Sequence, residues 1–475
     1  MATLYYTLNG NYDPEFSATA YSAPVNSAMR VLDFGPGSSI EGFENYQNQF
    51  VYLVSGPDVA PEYQGFQLAT DQAGLYVDFR DFDYVTRVTG GNFGDYVFTG
   101  DGNDVLNGGG GDDFLIGGGG NDVLEGGRGS NSFDGGTGTN TLSYEHFDAP
   151  SLGGTLGVII NMESGSASDG ESSLVQDTFS NIANVRGSQY GDIISGDAQN
   201  NVIEGGVDVD SLTGGDGIDT LSFEHSSDGV IVDLQEGFGS GGDAEGETYG
   251  SFENILGSTT DDALYGDGGA NTLNGNGGND ELYGRDGNDR LVIGNSPVKV
   301  DGGEGTDLLF ILRDSTVALT DTSFTGLASI EKIYVRDGAS LTMTGVDIGA
   351  KLYSQSVADG GSTITGTDGA DRIAAGKGND VIAGGRGGDS LFGGAGADTF
   401  VFAAGDGRDV IRKFDAINDT IDLSALGGDT DGLDVRSFHG GDSTLITLAH
   451  EFGPTDKIIL LDVAFGSLTE GSFIL

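Results

Sequence analysis

The chain contains no cysteine and no tryptophan, and only 20 of its 475 residues are Lys or Arg. Without thiols there are no disulfides, no thiolate metal sites and no thiol nucleophiles, although the absence alone names no compartment. The few cations, set against 74 Asp and Glu, leave a formal net charge of −54. A folded surface at that charge repels itself unless cations neutralise it. Partners that need a basic surface, namely nucleic acid and anionic lipid headgroups, are accordingly not expected. Long apolar runs are missing too, and no stretch approaches a membrane span. The opening MATLYYTLNGNYDPEF has neither a basic nor an apolar signal region, the first basic residue being Arg30, so an ordinary secretory signal peptide is not expected. Apolar residues make up 37%, too little for several independent cores, whereas glycine reaches 86 residues. Something other than ordinary hydrophobic burial must hold the chain together.

A nine-residue pattern, G-G-x-G-x-D-x-U-x with U a large apolar residue, dominates the sequence. It stands unbroken at GGGGDDFLI from Gly108, GGGGNDVLE from Gly117, GGDGIDTLS from Gly214, GGEGTDLLF from Gly302, GGRGGDSLF from Gly384 and GGAGADTFV from Gly393. This composition would produce about 0.1 such matches by chance. Near matches in the same frame extend four blocks. Residues 90–143 carry Asp95, Asp104, Asp113, Asp122, Asn131 and Asn140 at the sixth position, and residues 187–222 carry Asp192, Asn201, Asp210 and Asp219. Residues 257–310 supply Asp262, Asn271, Asp280, Asp289 and Asp307 across one irregular unit containing Pro297, and residues 366–401 supply Asp371, Asp380, Asp389 and Asp398. A longer repeat overlies the short one. TLSYEH, GVIINM and FSNI after the first block return as TLSFEH, GVIVDL and FENI after the second, with Leu142 and Leu221 79 residues apart. The blocks and their β-rich spacers, 144–186 and 223–256, therefore form one array.

Glycines permit turns with positive φ and close backbone approach, and x-U-x is a very short strand. Two such units return the chain to its starting edge, so eighteen residues make one coil, and coils about 4.8 Å apart place residue i over i+18. Asp95 then faces Asp113, Asp104 faces Asp122, Asp289 faces Asp307, Asp371 faces Asp389 and Asp380 faces Asp398. Bare carboxylates so stacked repel, and the neighbouring carbonyls lack donors. A hard cation resolves both problems. Flexible cages of six to eight oxygens suit Ca²⁺ rather than Mg²⁺, and zinc or copper would seek Cys or His, of which there are none and four. About a dozen Ca²⁺ ions are expected, held by the fifteen sixth-position aspartates, with weaker or empty sites where Asn131, Asn140, Asn201 and Asn271 replace Asp.

These nonapeptides resemble the RTX, or haemolysin-type calcium-binding, family. The resemblance implies an all-β fold, a right-handed parallel β-roll or β-solenoid with calcium turns. Residues 402–475 begin like the cap that follows the β-roll in serralysin-type and other type I secreted proteins, with Asp409, Asp415, Asp419 and Asp422 where that family carries acids. They end, from Glu470 through Phe473, Ile474 and Leu475, like the uncleaved signal of that export route. An extracellular or cell-surface destination follows from the resemblance. Residues 311–365, as in SIEKIYVRDGASLTMTG, alternate at strand period without metal turns and read as wider, calcium-free coils. Residues 1–89 hold 16 of the 43 Phe and Tyr and no nonapeptide, which suggests a small β-rich module or solenoid cap, with a sugar-binding platform as the other reading.

Catalytic constellations mostly fail. His450-Glu451 starts like a zinc-protease helix motif, but Pro454 stands where the second His belongs, and no G-x-S-x-G elbow exists. Glu145-His146 and Glu224-His225, repeated in the duplicated spacers, read as structural corners. The expected role is an extracellular structural, adhesive or surface-layer component, its partners calcium, cell-surface polysaccharide or further copies of itself. The alternative is a secreted polysaccharide-modifying enzyme of lyase or epimerase type.

Overall fold

A unit whose only large apolar residue is its eighth can bury one side chain per half-coil, and the strands are built accordingly. Val105–Asn107, Phe114–Ile116, Thr272–Asn274 and Ser390–Phe392 are three residues long, each with its central residue buried and its flanks half-exposed. Those central residues, Leu106, Leu115, Leu273 and Leu391, have 0% exposure and form a narrow core one side chain deep from each sheet. The computed structural model describes residues 30–34, 51–55, 66–67, 75–80, 87–147, 156–169, 176–297, 299–324, 329–358, 360–426, 433–448 and 456–475. Its regular structure there is strands and short 3-10 turns. Among the described residues no helix is long and apolar enough to cross a membrane. The chain divides into two compact units, residues 1–222 with 243–252, and residues 223–242 with 253–475.

In the first unit, parallel pairing joins Tyr96–Phe98 to Phe114–Ile116 and then Ser132–Asp134 on one sheet. On the other, Arg87–Thr89, Val105–Asn107, Val123–Glu125 and Thr141–Ser143 stack in turn. Tyr96 lies opposite Phe114 and Val105 opposite Val123, the eighteen-residue step expected from the motif. Upstream, Arg30–Phe34, Val51–Ser55 and Leu75–Asp78 pair in parallel and lead into Tyr96–Phe98, while Phe66–Gln67 pairs with Arg87–Thr89. The described strands of the aromatic-rich N-terminal segment thus feed the same two stacks, and the rest of it lies outside the described residues.

The spacer 144–186 departs from parallel order. Leu156–Asn161 and Ser166–Asp169 pair antiparallel, as do Ser166–Asp169 and Gln176–Ser180. Its outer members then resume parallel contact with Gly191–Ser195 and Ser132–Asp134. A tight reversal at Gly165, with φ 62°, keeps the excursion within one sheet.

In the second unit the coils between the third and fourth blocks are wider, as their composition suggested. Phe310 lies opposite Tyr334, Tyr334 opposite Tyr353 and Tyr353 opposite Ala374, steps of 24, 19 and 21 residues. The opposite sheet runs Thr316–Ala318, Ser340–Thr342, Thr363–Thr365, Val381–Ala383, Thr399–Val401, Thr420–Asp422 and Phe473–Ile474, all parallel. At the C-terminal end Asp434–Phe438, Ser443–Leu448 and Asp456–Leu461 form an antiparallel meander whose last strand pairs with Arg408–Arg412. Such a meander covers the open edge of a stack that would otherwise offer unpaired backbone groups.

Candidate metal centre

All fifteen sixth-position aspartates are buried, none more than 4% exposed. Each edge is organised by one bond per coil, in which the backbone N–H of a sixth-position residue donates to Oδ1 of its counterpart one coil on. Asp95 donates to Asp113 at 2.7 Å, Asp104 to Asp122 at 2.8 Å, Asp192 to Asp210 at 2.6 Å and Asp262 to Asp280 at 3.1 Å. Asp289 donates to Asp307 at 2.7 Å across the irregular unit, Asp371 to Asp389 at 2.8 Å and Asp380 to Asp398 at 3.0 Å. Asn201 and Asn271 donate in the same way to Asp219 and Asp289. The eighteen-residue frame is therefore a ladder of carboxylates.

The second oxygen, Oδ2, separates two kinds of turn. In the closed kind the position-two residue lacks a positive φ and its N–H closes onto the carboxylate: Gly91 on Asp95, Ser188 on Asp192, Ser258 on Asp262, Thr367 on Asp371 and Gly376 on Asp380. The hydroxyls of Ser188, Ser258 and Thr367 add a bond to the same aspartate at 2.9 Å. Where position two is left-handed, as at Gly109, Gly118, Gly206, Gly303, Gly385 and Gly394, and at Arg285 with φ 75°, the N–H is carried away. Oδ2 of Asp113, Asp122, Asp210, Asp289, Asp307, Asp389 and Asp398 is then buried without a hydrogen-bond partner. In the fourth block a closed turn begins each edge and an open turn follows.

Burial opposes the charged form even where donors reach it. Asp113, Asp280 and Asp389 are pushed up to about 8 and Asp192 to about 7, chiefly by desolvation, with neighbouring carboxylates adding to the rise in each case. Carboxylate and carbonyl oxygens of neighbouring coils crowd together beside the first glycine of a unit. A Cβ added to Gly90 would collide with both Asp95 Oδ2 and the Gly108 carbonyl oxygen, and one on Gly284 or Gly366 would meet the same pair of groups from Asp289 and Gly302, or Asp371 and Gly384. Carboxylate and carbonyl oxygens converging in this way are what a calcium ion, with oxygens at about 2.3 to 2.6 Å, takes as ligands. Among the described residues no three His, Cys, Asp or Glu side chains converge, because each position offers two carboxylates and backbone carbonyls instead.

Asparagine meets the same geometry without a cation. The side-chain amides of Asn140, Asn201 and Asn271 donate to the carbonyls of Asn181, Ala183 and Glu253 at 2.9 to 3.0 Å.

The ladders also run past the motif, which spacing did not reveal. Asp177 caps Asn131 at 2.7 Å, Glu331 caps Asp307, and Asp409 and Asp419 cap Asp389 and Asp398 at 2.9 and 3.1 Å. Thr248 lies opposite Ser211, which seats Glu247 over Asp210. A Cβ on Gly205 would touch Asp210 Oδ2 and Glu247 Oε1 together, and no donor reaches either Glu247 oxygen with hydrogen-bond geometry. Asp177 is different: the Tyr144 hydroxyl donates to it at 2.8 Å. Of the resembling C-terminal acids, Asp415 binds its own loop and is fully exposed.

The corners behave as ties. Glu145 pairs with Arg186 at 2.6 Å and His146 with Glu125 at 3.0 Å, each linking separate coils. His450, Glu451 and Pro454 lie outside the described residues.

A family model described as the RTX calcium-binding nonapeptide repeat, in four copies, matches residues 89–124, 108–142, 186–221, 256–291 and 365–400. The chain carries calcium-binding RTX repeats. Their matches fall on the four blocks whose carboxylates form the ladders. No curated protein matches the chain. Among solved structures, the AlgE6R2 subunit of the Azotobacter vinelandii mannuronan C5-epimerase is 26% identical over 28% of this chain and 92% of that one, with a TM-score of 0.22. The extracellular lipase LipA from Serratia marcescens is 15% identical over 82% of this chain and 40% of that one, with a TM-score of 0.16. The RTX blocks, the parallel stacks and the absence of α-helix among the described residues together define an all-β parallel solenoid.

Proposed function

We propose that this RTX protein is exported unfolded, folds on binding about a dozen Ca²⁺ ions outside the cell, and serves there as a structural, adhesive or surface-layer component. The observation that carries the reading is the row of buried Oδ2 atoms without partners along both edges. Without a cation, each coil closes only by bringing another buried charge against the last. With one, the two carboxylates and the glycine carbonyls neutralise and coordinate it together. The fifteen aspartates hold these sites, and Glu247, Glu331, Asp409 and Asp419 extend them one coil beyond each block. The acidic residues that follow the last block support type I export, because they resemble the cap that follows the β-roll in proteins of that route.

The test is a calcium titration of the full chain followed by circular dichroism and electron microscopy. Chelator should leave the chain largely disordered, and millimolar calcium should bring β structure and then layers or filaments. Identical spectra with and without calcium would overturn calcium-driven folding, while a folded protein that stays dispersed and degrades polysaccharide would overturn the structural role.

A further inference from the structure

One face of the second unit reverses the sign of the whole molecule. Seven consecutive strands of its first sheet, from Arg290–Ile293 to Arg408–Arg412, present alternate residues outward, and not one of those outward residues is acidic. They include Arg290, Lys332, Lys351 and Arg372 in one row. Arg290 lies opposite Leu308, Leu308 opposite Lys332 and Lys351 opposite Arg372, while Ile333 opposite Leu352 sets Lys332 beside Lys351. The adjacent row is aromatic. Phe310, Tyr334 and Tyr353 stack face to face at 4.9 and 5.4 Å, and Phe392 follows beyond Ala374.

The rings hold cations against the sheet. Arg290 lies 4.2 Å above Phe310, with Arg336 over the same ring at 5.8 Å and Arg372 over Phe392 at 6.0 Å. Elsewhere in the described residues arginines find carboxylates: Arg186 with Glu145, Arg285 with Asp233, Arg313 with Asp337. No ion pair to the cations of this face occurs among the described residues, although acids outnumber bases 74 to 20 in the chain. Burial and the nearby Arg336 depress the Arg290 guanidinium, as expected of like charges left together. The opposite sheet at the same coils carries Thr, Ser, Ala and Val outward instead. The net charge excludes a basic molecule but not a basic face.

We propose that this face binds an acidic polysaccharide, its carboxylates paired with the rows of Lys and Arg and its sugar rings lying against the tyrosine and phenylalanine edges. A nucleic acid duplex fits less well. It carries a charge about every 1.7 Å, which the acidic remainder of the protein would repel, and the stacked rings have no free faces for bases. The proposal gives the adhesive reading a ligand class, and it rests on the calcium-loaded fold.

The experiment titrates hyaluronan oligosaccharides into the full chain in calcium, by calorimetry, with dextran and oligothymidylate as parallel probes and circular dichroism recorded on every variant. Binding to hyaluronan alone is expected, weakened by salt. Lys351→Glu with Arg372→Glu should weaken it about tenfold or more, and Lys351→Gln with Arg372→Gln by less, with unchanged calcium-induced spectra. No binding by the folded wild type, equal affinity for dextran, or tighter binding of oligothymidylate overturns the proposal. So does undiminished binding in the charge-reversed variant, which would mean that calcium bridges the glycan to acidic surfaces elsewhere. Loss of the calcium-induced spectrum in the wild type would instead sink the folding reading beneath it.

Discussion

At the scale of single residues, the sixth-position aspartates divide into those whose Oδ2 the protein supplies with a donor and those whose Oδ2 it leaves without one. Asp389 belongs to the second kind; its carboxylate accepts the Asp371 N–H, and its own N–H donates to the Asp409 carboxylate. Asp389→Ala should therefore lower calcium stoichiometry and reduce stability in saturating calcium by about 1 to 3 kcal/mol. Asn201→Ala removes an amide already bonded to Ala183 and should leave the stoichiometry unchanged. Glu247→Gln should behave like the aspartate variant, losing one ion, because its carboxylate faces Asp210 without a donor. Calorimetric stoichiometry of the three proteins checks this, and equal losses in all three would refute the division. Glu247 was not legible in the sequence, since it meets Asp210 at a step of 37 residues rather than 18. The aspartates were legible because glycine spacing and carboxylate spacing coincide in the six unbroken units.

At the scale of the coil, acid and calcium should act alike. The buried carboxylates of Asp113, Asp280 and Asp389, held near 8 in the folded protein, ionise near 4 in the unfolded chain. Between those values the metal-free coil binds protons that the unfolded chain has released, so its stability is greatest in acid and falls as pH rises towards 8. In chelator, lowering the pH from 8 to about 5.5 should thus restore part of the β signal that calcium restores at pH 8. Circular dichroism across that range checks it, and a flat or opposite trend would show that burial is not what keeps the metal-free coils open. The greater width of the coils between the third and fourth blocks was foreseeable from the missing glycine turns. The antiparallel meander in the first spacer was not, because alternation gives strand period but not direction. The cationic face was equally hidden, since its residues arrive about one per coil and never form a run of charge.

Over the whole molecule, the core is one buried side chain per half-coil and the edges are charge, so nothing in the cross-section limits how many coils there are. What the chain must keep is register. The two copies of the spacer are 79 residues apart, and the segments on either side of that interval begin alike, with TLSYEH after the first block and TLSFEH after the second. Removing residues 143–221 joins Leu142 to Ser222 and leaves a chain in which every remaining turn still has the frame it had before. Such a protein should fold in calcium with fewer ions bound and an otherwise similar spectrum, whereas a deletion of the same length begun ten residues later should not. For a gene, this means that length is heritable in whole steps: unequal recombination between the duplicated spacers shortens or lengthens the product without passing through an unfoldable intermediate, and a population carrying this locus is expected to vary in the number of blocks sooner than in the residues within them.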